Sequence, residues 1–166
     1  MPIAVITARG EDAAELSAVA AATFPLACPP TVAAEDIAAF IAAHLSAQRF
    51  GDYLADPDRV VLAAREDGRI IGYAILIRGD VGDQTVELSK MYVLPSRHRS
   101  GAAAALMRSG IAWASDHGAA MLWLGVNQNN PRAQRFYRKH GFEMAGTRTF
   151  RLGTGTEDDF VMVRPL

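Results

Sequence analysis

Along this chain the spacing of apolar residues switches from helical to strand-like and back, and each switch marks an element. Ile3 to Ala8, with Val5 and Ile6, reads as a first strand. Glu11 to Phe24 carries Ala14, Val19 and Ala22 behind an acidic start, the pattern of a helix. A proline-rich break follows at Pro25 and Pro29-Pro30. Val32 to Phe50 then sets Ile37, Phe40, Ile41, His44 and Leu45 on one face, at i, i+3, i+4, i+7 and i+8. Thr31 stands where a helix N-cap belongs. His44, on the edge of that face, reads as a half-buried core histidine ahead of a catalytic one.

From Arg59 the pattern changes. Val60–Ala64 and Ile70–Ile77 are strands around Asp67-Gly68, a pair that predicts a tight antiparallel hairpin. A polar link, Gly79 to Gln84, precedes a third strand, Glu87 to Val93, which Pro95 closes. Beyond Gly101 the chain is nearly pure helix former, from Ala102 through Ile111 and Trp113 to a stop at His117-Gly118. Met121 to Val126 is a continuous apolar run, as in a strand covered on both faces. Arg132 to His140 is a further helix, with Asn130 as its cap, Pro131 in its first turn and Gly141 as its stop. Phe142 to Leu152 and Phe160 to Val163 are closing strands around a Gly/Thr/acid loop. This order predicts one α+β domain spanning residues 1–166 with a mixed sheet. The Glu87 strand and the strand ending at Val126 are joined by a helix and should run parallel.

Composition narrows the picture. The chain has 166 residues, half of them hydrophobic and 21% charged, a size and balance that suit one globular core. A net charge of −1 gives no basic field for nucleic acid. No apolar run nears the ~20 residues that cross a bilayer, and no basic-then-apolar leader opens the chain. A cytoplasmic protein with neither membrane nor nucleic-acid partners is expected. The single cysteine, Cys28, allows no internal disulfide and no cysteine zinc cluster, and reads as a structural thiol. No metal is expected.

The candidate chemistry lies between the third strand and its helix, at Ser96-Arg97-His98-Arg99-Ser100-Gly101. A helix start leaves N–H groups unpaired and carries partial positive charge. Two arginines and a histidine precede those donors, and Gly101 with the alanines behind it leaves room for close backbone approach. The combination reads as a phosphate cradle, with an ordinary basic turn before an alanine-rich helix as the alternative.

Three stretches together, ELSKMYVLPSRHRSGAAAALM, LGVNQNNPRAQRFYRKHGF and EDDFVMVRPL, resemble the GNAT superfamily of acetyl-CoA-dependent N-acetyltransferases. The likeness runs from about Arg59 to the C-terminus, and the pattern Asn-x-x-Ala-x-x-Phe-Tyr-x-x-x-Gly-Phe from Asn130 to Phe142 is its most specific part. It implies a mostly antiparallel sheet of about seven strands with a splayed parallel pair, and about four helices. One departure stands out. His98 occupies the usual first position of the family's loop, and Arg99 stands where glycine is frequent.

The resemblance implies acetyl-CoA as co-substrate, with its pantetheine arm laid along the strand at Met91, Tyr92 and Val93. Its pyrophosphate would rest on the loop of His98, Arg99, Ser100, Gly101, Ala102 and Ala103, with Arg97 or Arg99 as a charged donor. Asn130 would touch the arm near its amide end, and Arg132 beside it joins the cofactor-binding set. Tyr137 matches the position of the acid that protonates the departing sulfur, since a phenol stays protonated at neutral pH. Its alternative is an amphipathic tyrosine packed in the core. Glu87, which strand alternation would put on one face with Ser89, Met91 and Val93, is a candidate base beside the reading of a solvated glutamate.

An amine acceptor, whether polyamine, amino acid or peptide, would lie between the first helices and the last loop. Phe24, His44, Phe50, Tyr53, Tyr73 and the trio Glu157-Asp158-Asp159 are its candidates. The expected activity is transfer of an acetyl group to a primary amine by direct attack in a ternary complex. A non-catalytic acetyl-CoA-binding module is the alternative. A homodimer through the apolar run Phe160–Val163 stands open beside core burial of the same residues.

Overall fold

The structure, a computed structural model, describes residues 2–80 and 82–166; Val81, within the predicted polar link, lies outside the described residues. Seven strands form one sheet: β1 Ala4–Thr7, β2 Arg59–Glu66, β3 Arg69–Arg78, β4 Thr85–Val93, β5 Met121–Asn127, β6 Glu143–Leu152 and β7 Gly155–Pro165. Five helices cover it: α1 Ala13–Ala27, α2 Ala34–His44, α3 Ala47–Ala55, α4 Ala102–Asp116 and α5 Pro131–Lys139. The sheet order is β1-β2-β3-β4-β5-β7-β6, antiparallel except between β4 and β5. That is the mixed sheet with one parallel pair that the element order predicts. None of the described helices is long and apolar enough to cross a membrane.

Each face of the sheet carries its own core. Leu106 and Met107 of α4 pack against Leu122, Leu124, Phe142 and Met162 on one face, with Phe136 and Tyr137 of α5 at the margin. Leu16 and Val19 of α1, Phe50 and Tyr53 of α3, and Tyr73 and Ile75 of β3 form the other. Each such side chain taken from water contributes roughly 1.5–3 kcal/mol, so both helical layers are held by burial more than by helix propensity. The hairpin between β2 and β3 turns at Asp67 and Gly68, whose φ values of 53° and 78° give the double left-handed turn that an Asp-Gly pair supports.

Several local expectations change. The predicted helix from Val32 to Phe50 is two helices, because the chain breaks at Leu45 and Ser46. The Ser46 side chain accepts from Arg49 N at 3.2 Å and caps α3, so the described residues form five helices where about four were expected. The cap of α2 is Ala33, not Thr31, and it makes no side-chain bond. Pro25 lies inside the last turn of α1 and does not end it. Residues 155–159, expected as loop, belong to β7, and the turn is confined to the few residues around Gly153, at φ 61°. Since β7 is paired on both edges, its Phe160–Val163 run serves the sheet interior.

One irregularity matters for the site. Ile75 pairs with Lys90 while Leu76 pairs with Leu88, so Ser89 is an extra residue, a bulge in β4. The bulge reverses the alternation. Val86, Leu88, Met91 and Val93 all face the α4 core. Glu87 and Lys90, opposite Ile77 and Ile75, fall with Tyr92 on the α1 face. The expected shared face of Glu87 with Met91 and Val93 is therefore not formed.

Candidate active site

β4 and β5 pair at three positions, Thr85–Met121, Val86–Leu122 and Glu87–Trp123, and then part. Each keeps its other neighbour, β3 or β7, so a gap opens between Leu88–Val93 and Leu124–Asn127. Leu94 N donates to Ile71 O at 2.8 Å, toward β3. Backbone alternation then turns the main chain of Met91 and Val93 into the gap, and that of Tyr92 toward β3. The gap exposes strand donors and acceptors to any extended, amide-bearing ligand. It belongs to a cleft of about 410 Å³, a volume suited to a small molecule or cofactor arm.

At one end of the cleft stands the loop before α4. Arg99 at φ 70° and Gly101 at φ 91° both take the left-handed conformation. Arginine thus adopts the shape a glycine would, at a cost of roughly 1–2 kcal/mol. Ala102 N is held by Ser100 Oγ at 3.3 Å and Ser100 N by Arg97 O at 3.2 Å, while the N–H groups of Gly101, Ala103 and Ala104 find no acceptor among the described residues. These free amides at a helix start can bind an anion. Arg97 is committed elsewhere, to Glu66 at 2.6 Å. Arg99 remains exposed and is the arginine available to a phosphate.

His98 ties the loop to the strand. Its Nε2 lies 3.0 Å from Val93 O and its Nδ1 3.3 Å from Arg132 Nη2. A carbonyl accepts and a guanidinium donates, so these two contacts match the tautomer in which Nε2 donates and Nδ1 accepts. His98 and Arg132 thereby clasp the loop to α5 at the mouth of the gap. Asn130 caps α5, accepting from Ala133 N at 3.1 Å, and also lines the cleft. Behind it, buried Gln134 donates to Asn127 O and Gln128 O, both at 3.1 Å, and pins the β5–α5 turn. Tyr137, from the same helix, lines the gap beside Met91 and Val126. Burial pushes its phenol up to about 12, so it is a donor at every physiological pH.

The acceptor half of the cleft lies toward α1. Phe24 and Phe40 stack at 4.6 Å between centroids, and Phe150 meets Phe40 edge-on at 5.7 Å. Glu157, the cross-strand partner of Phe150, and Asp159 also line the cleft, and Asp159 is only 6% exposed. Burial raises its carboxyl above the ordinary value, against the pull of Arg148, whose Nε lies 3.3 Å away. Asn127 Nδ2 donates to Glu157 Oε1 at 3.2 Å. Glu87 does not line the cleft. It stands 3.9 Å from Arg148, so it and Asp159 share that cation.

Of the predicted acceptor residues the fold gathers Phe24, Glu157 and Asp159 at the cleft. Phe50, Tyr53 and Tyr73 are buried in the α1-side core, Asp158 is exposed, and His44 is exposed at the end of α2. Cys28 lines the cleft, but burial holds its thiol at about 11, which keeps it inert at neutral pH. Sequence reasoning missed Lys90 and Arg148, which both line the cleft. The first had a signal, a lone charge inside the strand run Leu88–Val93. The second had none without the β6–β7 register. Among the described residues no three His, Cys, Asp or Glu side chains converge as metal ligands would.

Comparison with known proteins agrees with this geometry. The family model described as Acetyltransferase (GNAT) family matches residues 22–142. Uncharacterized N-acetyltransferases of Mycobacterium bovis and Mycobacterium tuberculosis are 64% identical over 155 residues, which is 93% of this chain and 98% of each relative. In fold the chain is similar to the PaiA N-acetyltransferase of Thermoplasma acidophilum, solved with coenzyme A, at TM-score 0.86 and 20% identity over the whole of both chains. It is similar also to the ribosomal-protein-S18-alanine N-acetyltransferase of Escherichia coli, at TM-score 0.76 and 20% identity, covering 99% of this chain and 94% of that one. By family model and relatives alike, this chain belongs to the GNAT family of acyl-CoA-dependent acetyltransferases.

Proposed function

We propose that the cleft transfers an acetyl group from acetyl-CoA to a primary amine by direct attack within a ternary complex. The observation that carries this is the parting of β4 from β5 after Glu87, with Tyr137 lining the gap and the α4 loop reaching the same cleft at His98 and Ala103. When bound, acetyl-CoA supplies the activated acyl group. The residues present fit it. Met91 and the N–H of Val93, whose carbonyl is already met by His98, offer outward main-chain groups to its amide-bearing arm, as an added strand would need. The loop from His98 to Ala103 offers the free N–H groups of Gly101 and Ala103 to a diphosphate, with Arg99 as charged donor, and Asn130 and Arg132 flank the entrance.

Two proton transfers remain for side chains. The amine must lose a proton as its nitrogen bonds to the acyl carbon, because such amines are mostly protonated at neutral pH. Asp159 faces the cleft and is raised toward neutrality by burial, so it takes that proton. Glu87 acts one step removed, by sharing Arg148 with Asp159 and so tuning its charge. The sulfur that leaves the acyl carbon takes a proton from Tyr137, the un-ionised phenol beside the gap.

The test is release of coenzyme A thiol by purified protein with polyamines, amino acids and short peptides. Amine-dependent release is expected. Tight acetyl-CoA binding without release on any amine would replace this reading with that of a binding module.

A further inference from the structure

We infer that the acceptor is an amino acid, a molecule carrying a carboxylate as well as the amine, with an apolar or aromatic body, and that Lys90 receives the carboxylate. The inference rests on the acetyl-transfer reading above and narrows its substrate. The bulge at Ser89 turns Lys90 onto the acceptor side of β4, where it lines the cleft. Its ammonium makes one hydrogen bond among the described residues, a long one of 3.4 Å to Ser89 Oγ. No carboxylate among the described residues lies within ion-pair distance of it; Glu87, on the same face, is turned to Arg148. Burial lowers the lysine's proton affinity; the more distant Glu87 carboxylate works against that shift, and Arg59 and Arg148 add to it.

A half-buried ammonium without a counter-ion is costly in a folded protein, and a ligand anion removes that cost. The β7 part of the lining supplies acids. Glu157, and Asp159 beside Arg148, suit an ammonium, and Phe24, Phe40 and Phe150 give an apolar surface next to them. A zwitterion satisfies both charges. A polyamine would set a second cation against Lys90 and Arg148, and a simple alkylamine would leave Lys90 unmet.

Matched pairs test this: phenylalanine against phenethylamine, and leucine against isopentylamine, by rates of thiol release. The amino acid of each pair should be favoured in kcat/KM by roughly ten- to a hundredfold, the worth of one charge-assisted hydrogen bond. Lys90→Met should collapse that ratio to near one, and Lys90→Arg should retain most of it. Equal rates within the wild-type pairs overturn this inference alone. So does an acetyl group appearing on Lys90 itself when protein and acetyl-CoA are incubated without acceptor. Absence of release with every amine, polyamines included, overturns the transfer reading and this one with it.

Discussion

Arg148 of β6 reaches past β7 and lays its guanidinium on the bare α-carbon of Gly125 in β5, where an added Cβ would fall 2.6 Å from Arg148 Nε. The same side chain sits 5.6 Å over the Trp123 ring and touches acids on two strands, Glu87 of β4 and Asp159 of β7. It spans the floor of the cleft at the level where the strands part. Gly125→Ala should therefore expel the flexible end of Arg148 with little loss of stability, under about 1 kcal/mol, yet slow acetyl transfer roughly tenfold or more by misplacing charge at the site. Thermal midpoint and kcat, measured together, check the split.

The acid limb of the pH–rate profile should belong to Asp159. The carboxylate is the working form and exists above its pKa, so activity rises with pH through a value lying above the ordinary carboxylate range. Removing the cation in Arg148→Met takes away an influence that holds this pKa down. The limb should then move to higher pH. Asp159→Asn should abolish the limb and lower kcat by roughly a hundredfold.

Tyr137→Phe removes only the phenolic proton donor. It should lower kcat by roughly a hundred- to a thousandfold while acetyl-CoA affinity, by calorimetry, changes less than about twofold. Equal losses in both would reassign Tyr137 to the packing of α5.

Tyr73 carries a buried hydroxyl with no partner among the described residues, wedged between the Phe50 and Tyr92 rings at 5.5 and 6.0 Å. An unmet hydroxyl costs roughly 1–3 kcal/mol, so Tyr73→Phe should raise stability, by about 1 kcal/mol or a few degrees in Tm. A lowered midpoint would mean that the hydroxyl does useful bonding.

Arg99 holds a left-handed conformation that glycine adopts freely, and its exposed side chain belongs to the same loop as the free amides before α4. Arg99→Gly keeps the backbone shape and removes the charge. Coenzyme A affinity should fall roughly three- to tenfold, and its salt dependence should weaken.

How much of this was legible in the sequence follows from the range of each interaction. Local signals were read well. The Asp67-Gly68 turn, the Asn130 cap with Pro131 behind it, and the left-handed stops at Gly118 and Gly141 each depend on a few adjacent residues, and each is formed. The parallel β4–β5 pair followed from the helix between them. The break at Ser46 was hidden, because a continuous apolar stripe from Ile37 to Leu45 says nothing about where the helix axis turns.

The sequence by itself determined the order of the strands and the strand–loop–helix junction before α4, since these are written in spacing along one stretch of chain. Tyr137 and Asn130, which line the cleft, were singled out by resemblance to the family's motif. Only the tertiary structure decided which face Glu87, Lys90 and Tyr92 present, because one bulged residue inverts strand alternation without leaving a pattern in composition. It alone joined Arg148, Gly125, Glu87 and Asp159, which lie on four strands and meet only through strand order and register. Charges far apart along the chain act on one another only once the sheet has placed them within a few ångströms.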